Sequence, residues 1–207
     1  MVVYTRKGNL VDLVNPYNTV IDVDDIAWAL SNINRFGGHA KLPINVASHS
    51  LMVSRFCAVI AKSKGFDAAE IARVQLAGLC HDFAEAYLGD IPAPLKAVVP
   101  EFKNLEKTFD RVIRSRLNLP HWDVTIVHKA DWLALLIEAE NATMIPMSQL
   151  NPSMDEVLGD LGLGRSDLAI GPVFLPPAAA RETLVLQYRI LKQYLAEADT
   201  PVSLAEL

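Results

Sequence analysis

The 207-residue sequence predicts an all-α fold, and three observations support that prediction. Apolar residues recur at helical spacing through most of the chain, β-branched pairs concentrate in the first 21 residues, and glycines and prolines divide the rest into about six segments. Hydrophobic residues make up 51% and charged residues 21%, which is typical of a packed core. We expect a single domain over residues 1–207.

Residues 1–21 predict a short extended segment or hairpin, because turn signals stand at Lys7–Asn9 and Asn15–Pro16. The first helix is expected to follow, with Asp24 as its cap before Ile26–Leu30. The glycines in the segment 34–39 indicate a loop that ends this helix.

Five further helices are predicted, each bounded by a glycine, a proline or a capping side chain. They span residues 43–64, 67–88, 101–117, 123–144 and 178–198. Pro92 and Pro94 predict a non-helical corner after the third helix. Residues 145–176 are rich in Pro, Gly, Ser and Asp, so we expect an irregular stretch with one helical turn at 154–161.

Composition excludes several classes of protein. The net charge of −5 argues against a binder of duplex nucleic acid. Charges interrupt every apolar run before about 18 residues, which excludes a membrane span, and the N-terminus does not resemble a signal peptide. Cys57 and Cys80 lie in apolar helical patterns without zinc-type spacing, so we expect buried free thiols and a cytoplasmic location.

The third predicted helix carries ionisable groups on an apolar background. His81, Asp82 and Glu85 fall within Val74–Asp90, where apolar residues occupy nearly every face. Burying such groups is costly unless they are paired or bind a metal. His81 and Glu85 are four residues apart and therefore share one face.

Two other apolar helices each carry one such group, His49 and Asp131. Taken alone, a buried histidine is more often a core residue with one hydrogen bond, and Asp131 could pair with Lys129 or Arg111. The coincidence of all these groups on separate apolar helices favours convergence. Two imidazoles and two carboxylates would suit one divalent ion among Mn, Fe, Co, Ni and Zn.

The order of these residues resembles the HD-domain metal-dependent phosphohydrolases: an upstream His, a His-Asp pair and a distant Asp on successive helices. The segment His81–Lys96, HDFAEAYLGDIPAPLK, is similar to the motif of the bacterial HD-domain 5′-deoxynucleotidases. The stretch Ile33–Arg35 also resembles the substrate-binding region of that group. The resemblance runs from about residue 22 to residue 140, and it implies an HD-type helical bundle.

The resemblance also implies roles for individual residues. The metal ligands would be His49, His81, Asp82 and Asp131. Glu85 and Asp90 would act on the reacting water or the leaving group, and Arg35 would hold the phosphate. Phe36 stands where the deoxynucleotidases carry a Trp that helps to sense the sugar, and related phage enzymes look similar here. This leaves the preference between ribose and deoxyribose open.

Other polar residues have two interpretations each. Lys96 follows a Pro-x-Pro corner, so it could bind substrate as a second positive charge or be a solvated surface lysine. His39 could reach a substrate from its glycine-flanked loop, but a polar loop residue is the simpler interpretation. Trp28, Trp122 and Trp132 fall at core spacing, which favours packing over base stacking.

The sequence therefore predicts a metal-dependent phosphohydrolase acting on the 5′-phosphate of a nucleoside monophosphate. One alternative is hydrolysis of a (deoxy)nucleoside triphosphate or a related alarmone. A second, from another class, is a nucleotide-sensing module with a degenerate site. Related nucleotidases are dimers, and the helices at 101–117 and 178–198 could each form a two-fold interface, so a homodimer is expected.

Overall fold

The fold is all-α, as predicted, with one small N-terminal hairpin. The computed structural model describes residues 2–121, 124–168 and 174–200. Its helices are α1 (Val23–Asn32), α2 (Val46–Ser63), α3 (Ala68–Cys80), α4 (Glu85–Leu88), α5 (Ala93–Val98), α6 (Pro100–Arg116), α7 (Val124–Ala142), α8 (Met154–Leu161) and α9 (Pro177–Ala198). Short 3₁₀ turns lie at Pro16–Asn18, Phe36–Gly38, Met147–Gln149 and Arg165–Leu168. The predicted start of the helix at residue 123, and Trp122, lie outside the described residues.

The N-terminal hairpin is fastened to α1. Strands β1 (Val2–Tyr4) and β2 (Leu10–Asp12) pair antiparallel. At the turn, Thr5 Oγ1 and Asn9 Nδ2 donate hydrogen bonds of 2.6 and 2.8 Å to Oδ2 of Asp25, which is buried on α1. The extended N-terminal segment predicted from the sequence is therefore confirmed.

Helix α2 lies at the centre of the molecule. One apolar cluster packs it against α1, α3 and α9, and a second packs it against α3, α7 and α8. The approach of α3 requires Gly78, because a Cβ there would lie 2.6 Å from Cys57 Sγ and 3.2 Å from Ser54 Cα. His49 on α2 is consequently buried, and Cys57 and Cys80 are buried free thiols, as expected.

Two predicted helix starts are wrong by a few residues. The cap of α1 is Asp22, whose side chain accepts from the backbone N–H of Asp25 at 3.1 Å, rather than Asp24. Helix α2 begins at Val46 rather than at residue 43, because the Asn45 side chain caps it by accepting from the N–H of Ser48. In both cases a side chain just outside the apolar pattern satisfies a free N–H of the first turn.

The single helix predicted over 67–88 is wrong, since the chain forms two helices with a tighter segment between them. Asp67 caps the first, as expected, in a reciprocal pair with Glu70. After Cys80 the backbone changes to i→i+3 hydrogen bonds, from Phe83 N to Cys80 O at 3.2 Å and from Glu85 N to Asp82 O at 3.0 Å. The apolar pattern continues because the segment remains buried, and so it does not reveal the change.

The predicted corner at Pro92 and Pro94 is also wrong, because α5 begins there. Pro92 is the N-cap residue, and Pro94 occupies the first turn. The missing N–H of a proline costs nothing at that position, since first-turn N–H groups have no intrahelical partner.

The predicted turn at 154–161 is confirmed as α8, which Ser153 and Glu156 cap reciprocally. The rest of 145–176 is mostly irregular where the structure describes it, and residues 169–173 lie outside the described residues. Within the described ranges, no helix has the length and apolar character needed to cross a membrane.

Candidate functional site

Three parts of the fold bring four predicted site residues together. His49 comes from α2, Asp131 from α7, and His81 and Asp82 from the tight segment after α3. His49 Nε2 lies 3.0 Å from Asp131 Oδ1 and 3.6 Å from Asp82 Oδ2. His81 Nε2 lies 3.0 Å from Asp82 Oδ2 and 3.8 Å from Asp131 Oδ1. The four side chains form one cluster.

Both imidazoles are oriented by their other ring nitrogen. Nδ1 of His81 is 2.7 Å from the carbonyl oxygen of Gly78, and Nδ1 of His49 is 2.9 Å from Oε1 of Glu138. Each Nε2 therefore faces the cluster. Both Nε2 atoms are buried, and neither makes a hydrogen bond of good geometry with a described residue.

This arrangement fits a metal ion. One ligand atom from each of His49, His81 and Asp131 lies within 4.8 Å of the other two, and Asp82 Oδ2 adjoins both imidazoles. Ligand distances of about 2.0–2.2 Å place the atoms around one ion about 3–4 Å apart. Two nitrogen and two oxygen donors suit a borderline first-row metal.

The charges of the cluster depend on each other. Burial and the Arg35 charge act to lower the pKa of His49, but the carboxylates of Glu138 and Asp131 raise it to about 9. Burial acts to raise the pKa of Asp131, and the adjoining imidazoles of His49 and His81 hold it well below its usual range. In the metal-free protein, protons therefore occupy the imidazoles and balance the carboxylates.

The Arg35 guanidinium lies at the edge of the cluster. Its Nε donates to Glu138 Oε2 at 2.9 Å, and its Nη1 is 4.0 Å from Asp82 Oδ2. Neither Nη atom donates a hydrogen bond to any residue in the described ranges. The terminal fork is thus available for two oxygens of a phosphate.

Glu85 and Lys96 form a pair beside this cluster. Glu85 is buried at the start of α4, and its Oε1 lies 3.3 Å from Lys96 Nζ on α5. Its Oε2 is buried and lacks a hydrogen-bond partner among the described residues. Burial, together with the negative charges of Asp82 and Asp90, raises the pKa of Glu85 to about 8.

Asp90 and Phe36 lie around the same site. Asp90 follows α4 in an irregular segment, and burial raises its pKa against the effect of the Arg35 charge. The Phe36 ring centroid lies 5.5 Å from the Arg35 guanidinium carbon. The φ angles of Phe36, Gly37 and Gly38 are +57°, +59° and +80°, so the predicted glycine loop is confirmed.

The other pairings considered for Asp131 do not form. Lys129 Nζ instead lies 3.9 Å from Asp160, and Arg111 is exposed on α6. His39 is also exposed, at the end of its loop.

Sequence reasoning missed one residue, Glu138. It is completely buried on α7, and its two oxygens contact His49 and Arg35. The signal was the one used for Asp131, a carboxylate within an apolar helical run, Leu135–Ala139. Glu138 lies seven positions after Asp131, which places the two on one face of the helix about two turns apart.

The fold and the site define an HD-type metal-dependent phosphohydrolase. Residues 26–121 match the model of the YfbR-like 5′-deoxynucleotidase family. It is 39% identical over 135 residues to the uncharacterized protein YfdR of Escherichia coli K12, covering 65% of this chain and 67% of YfdR. These matches confirm the resemblance recognised in the sequence.

Two further comparisons agree with this assignment. The 5′-deoxynucleotidase PBPRA2627 of Photobacterium profundum is 34% identical over 80 residues, which cover 35% of this chain and 41% of that protein. The solved structure of the cyanophage S-2L HD phosphohydrolase DatZ, bound to dA and one catalytic Zn²⁺ ion, matches with a TM-score of 0.51 and 18% identity. It covers 81% of this chain and 95% of DatZ, which shows a shared fold.

Proposed function

We propose that this protein hydrolyses the 5′-phosphate ester of a nucleoside monophosphate and releases orthophosphate. The observation that carries the proposal is the convergence of His49, His81, Asp82 and Asp131 beside the free fork of Arg35. A cation-binding cluster next to a planar, permanently charged donor suits a phosphate ester.

His49, His81, Asp82 and Asp131 would hold one divalent transition metal ion. Such an ion supplies Lewis-acid polarisation of a phosphoryl oxygen and neutralises charge on the phosphate. Mn, Fe, Co, Ni and Zn are all compatible with this donor set, and DatZ was solved with Zn²⁺.

The chain's own residues account for positioning and proton transfer. Arg35 would bind two phosphate oxygens through Nη1 and Nη2. Glu85 would accept the proton of the attacking water, and a pKa of about 8 suits a base that works near neutral pH. As the bond from phosphorus to the 5′-oxygen breaks, Asp90 would protonate the departing oxygen. Burial raises the pKa of Asp90, which makes a carboxyl group at this position better able to hold and deliver a proton than an exposed aspartate.

Phe36 and Lys96 complete the substrate-binding residues of the proposal. Phe36 adjoins Arg35, so its ring would contact the sugar beside the bound phosphate. Lys96, which lies 3.3 Å from Glu85, would place a second positive charge beside the bound phosphate. The relative from Photobacterium is named a 5′-deoxynucleotidase and DatZ was solved with dA, which makes deoxynucleotides the first substrates to test.

We further propose a cytoplasmic homodimer. Helix α9 exposes an apolar stripe at four-residue spacing, Leu186, Ile190 and Tyr194, which suits contact with a second copy. Light scattering of the purified protein tests the dimer, and Ile190→Asp should shift the mass toward a monomer. Fractionation of the source cells tests the location.

The test of activity is a screen of ribonucleoside and deoxyribonucleoside mono- and triphosphates against each candidate ion. We expect one orthophosphate per monophosphate hydrolysed. Release of pyrophosphate or triphosphate from a nucleoside triphosphate would contradict the proposal in favour of a triphosphate hydrolase. Metal-dependent nucleotide binding without turnover would contradict it in favour of a sensing module.

A further inference from the structure

We propose that Glu138 is a positioning residue that couples the metal site to the phosphate site. It holds His49 with one carboxylate oxygen and Arg35 with the other. The half of this inference that concerns Arg35 rests on the proposed function, because it assumes that Arg35 binds phosphate. The half that concerns His49 requires only that the cluster binds a metal.

Within the described residues, the polar contacts of Glu138 are those with His49 and Arg35. The side chain has no exposed surface. Its Oε1 lies 2.9 Å from His49 Nδ1, and its Oε2 lies 2.9 Å from Arg35 Nε. Both distances are typical of charge-assisted hydrogen bonds, which are stronger than neutral ones. A carboxylate buried at this depth would be costly without two such partners.

The contact with His49 determines which ring nitrogen faces the cluster. An ionised carboxylate only accepts hydrogen bonds, so His49 Nδ1 must carry a proton to pair with it. In the neutral ring, the lone pair is then on Nε2, the atom 3.0 Å from Asp131. Glu138 thereby selects the tautomer that can bind a metal and fixes the plane of the ring.

The contact with Arg35 determines which guanidinium atoms are free. Nε is committed to Glu138, so the side chain is anchored below its fork. The remaining nitrogens form the edge that lies near Asp82, with Nη1 4.0 Å from Oδ2. An anchored fork loses less conformational entropy when it binds two phosphate oxygens.

A simpler interpretation is that Glu138 only neutralises the buried charge of Arg35. Glu138→Gln separates the two ideas, because it keeps the shape of the side chain. An amide has one oxygen and one NH₂ group, so it cannot accept from both His49 Nδ1 and Arg35 Nε. Either His49 Nδ1 or Arg35 Nε must then face the NH₂ group of the amide and lose its hydrogen bond. The link between the two sites is broken in either case.

The experiment measures Zn²⁺ affinity and inorganic phosphate affinity by calorimetry, the latter on the zinc-loaded protein. For Glu138→Gln we expect Zn²⁺ binding to weaken by about 10- to 100-fold. Phosphate binding should weaken by about tenfold, the cost of losing one hydrogen bond to a charged group. Glu140→Gln is the matched control, because Glu140 lies on the same helix, is exposed and pairs with Arg165. It should change neither affinity by more than about twofold.

A double variant tests whether the effect on phosphate passes through Arg35. In an Arg35→Ala background, Glu138→Gln should no longer affect phosphate binding but should still weaken Zn²⁺ binding. A phosphate effect that persists without Arg35 would overturn the coupling. Wild-type affinities in Glu138→Gln, or a loss of Zn²⁺ binding alone, would also overturn it.

A measurement on the wild-type protein avoids any folding defect of the variants. The ¹⁵N spectrum of the zinc-loaded protein should show His49 with a protonated Nδ1 and a Zn²⁺-bound Nε2. The opposite assignment would overturn the inference. These readouts need no turnover, so a wild-type protein inactive on every nucleotide would refute the proposed function while the Glu138 measurements still stand.

Discussion

Lys96 Nζ lies between two carboxylates, 3.3 Å from Oε1 of Glu85 and 2.6 Å from Oε1 of Glu106. The lysine therefore holds one oxygen of Glu85 and leaves Oε2 without a hydrogen-bond partner in the described part of the chain. Its positive charge offsets part of the effect of burial, which together with Asp82 and Asp90 still raises the pKa of Glu85 to about 8. This asymmetry makes Oε2 the atom best placed to take a proton.

Glu85→Gln should lower kcat by about 100-fold or more while metal content stays at the wild-type level. The amide keeps the shape and the contact with Lys96 but cannot accept a proton from water. Steady-state kinetics and metal analysis of the same preparation check this prediction. Glu106→Gln is the control, since it removes the other partner of Lys96 and should leave kcat within about threefold. Full activity of Glu85→Gln would exclude the role of base.

Arg35→Ala should raise KM for the nucleotide by about tenfold or more, because the substrate phosphate loses its bidentate partner. Metal content should not change, since the contact of Glu138 with His49 does not involve Arg35. Arg111→Ala, on the exposed face of α6, should behave like the wild type. A KM within about twofold of the wild type would reduce Arg35 to a partner of Glu138.

Metal affinity should rise steeply with pH. Although burial opposes it, the carboxylate of Glu138 raises the pKa of His49 to about 9, so the metal-free imidazole is protonated at neutral pH. An ion must displace this proton, and each displaced proton makes the affinity increase by about tenfold per pH unit below that pKa. Titrations between pH 6 and 8, with His128→Ala on the exposed side of α7 as control, check the slope. An affinity independent of pH would show that His49 does not bind the ion.

Gly78→Ala should destabilise the protein by about 1–3 kcal/mol, because the new methyl group would overlap Cys57 Sγ where α3 meets α2. Gly159→Ala on α8 is the matched control, since nothing lies within 4 Å of its added Cβ. Alanine there should stabilise the helix by up to about 1 kcal/mol. Thermal unfolding of both variants measures the difference. Equal melting temperatures would show that α3 can move away from α2 without cost.

The helical fold and the members of the cluster could be predicted because both leave a strong local signal. Helical spacing of apolar residues identifies the core, and a charge inside such a pattern is conspicuous, as at His49 and Asp131. Their distances could not be predicted, because convergence depends on how α2, α3 and α7 pack. That packing depends on details such as the missing side chain of Gly78.

The errors have a different physical origin. After Cys80 the backbone changes from i→i+4 to i→i+3 hydrogen bonds within a buried segment. Because the spacing of apolar residues is the same in both, the sequence gives no sign of the change. The prolines at residues 92 and 94 predict a break, but the structure begins a helix there because proline is well tolerated in a first turn. Glu138 carries the same signal as Asp131, a carboxylate in an apolar helical run, but it is not one of the residues of the HD pattern.

Because α7 is one continuous helix, the number of residues between Asp131 and Glu138 fixes the distance and the angle between their side chains. Asp131 and Glu138 stand two turns apart on one uninterrupted helix, about 10.5 Å along its axis. Inserting or deleting one residue between them would rotate one carboxylate by about 100° relative to the other, so this stretch should tolerate substitutions far better than changes in length. The interval also gives a filter for genome searches. Related chains with an acidic residue seven positions after the last aspartate of the HD pattern could form the same contacts to the upstream histidine and the arginine. Chains without that residue must orient the histidine in another way.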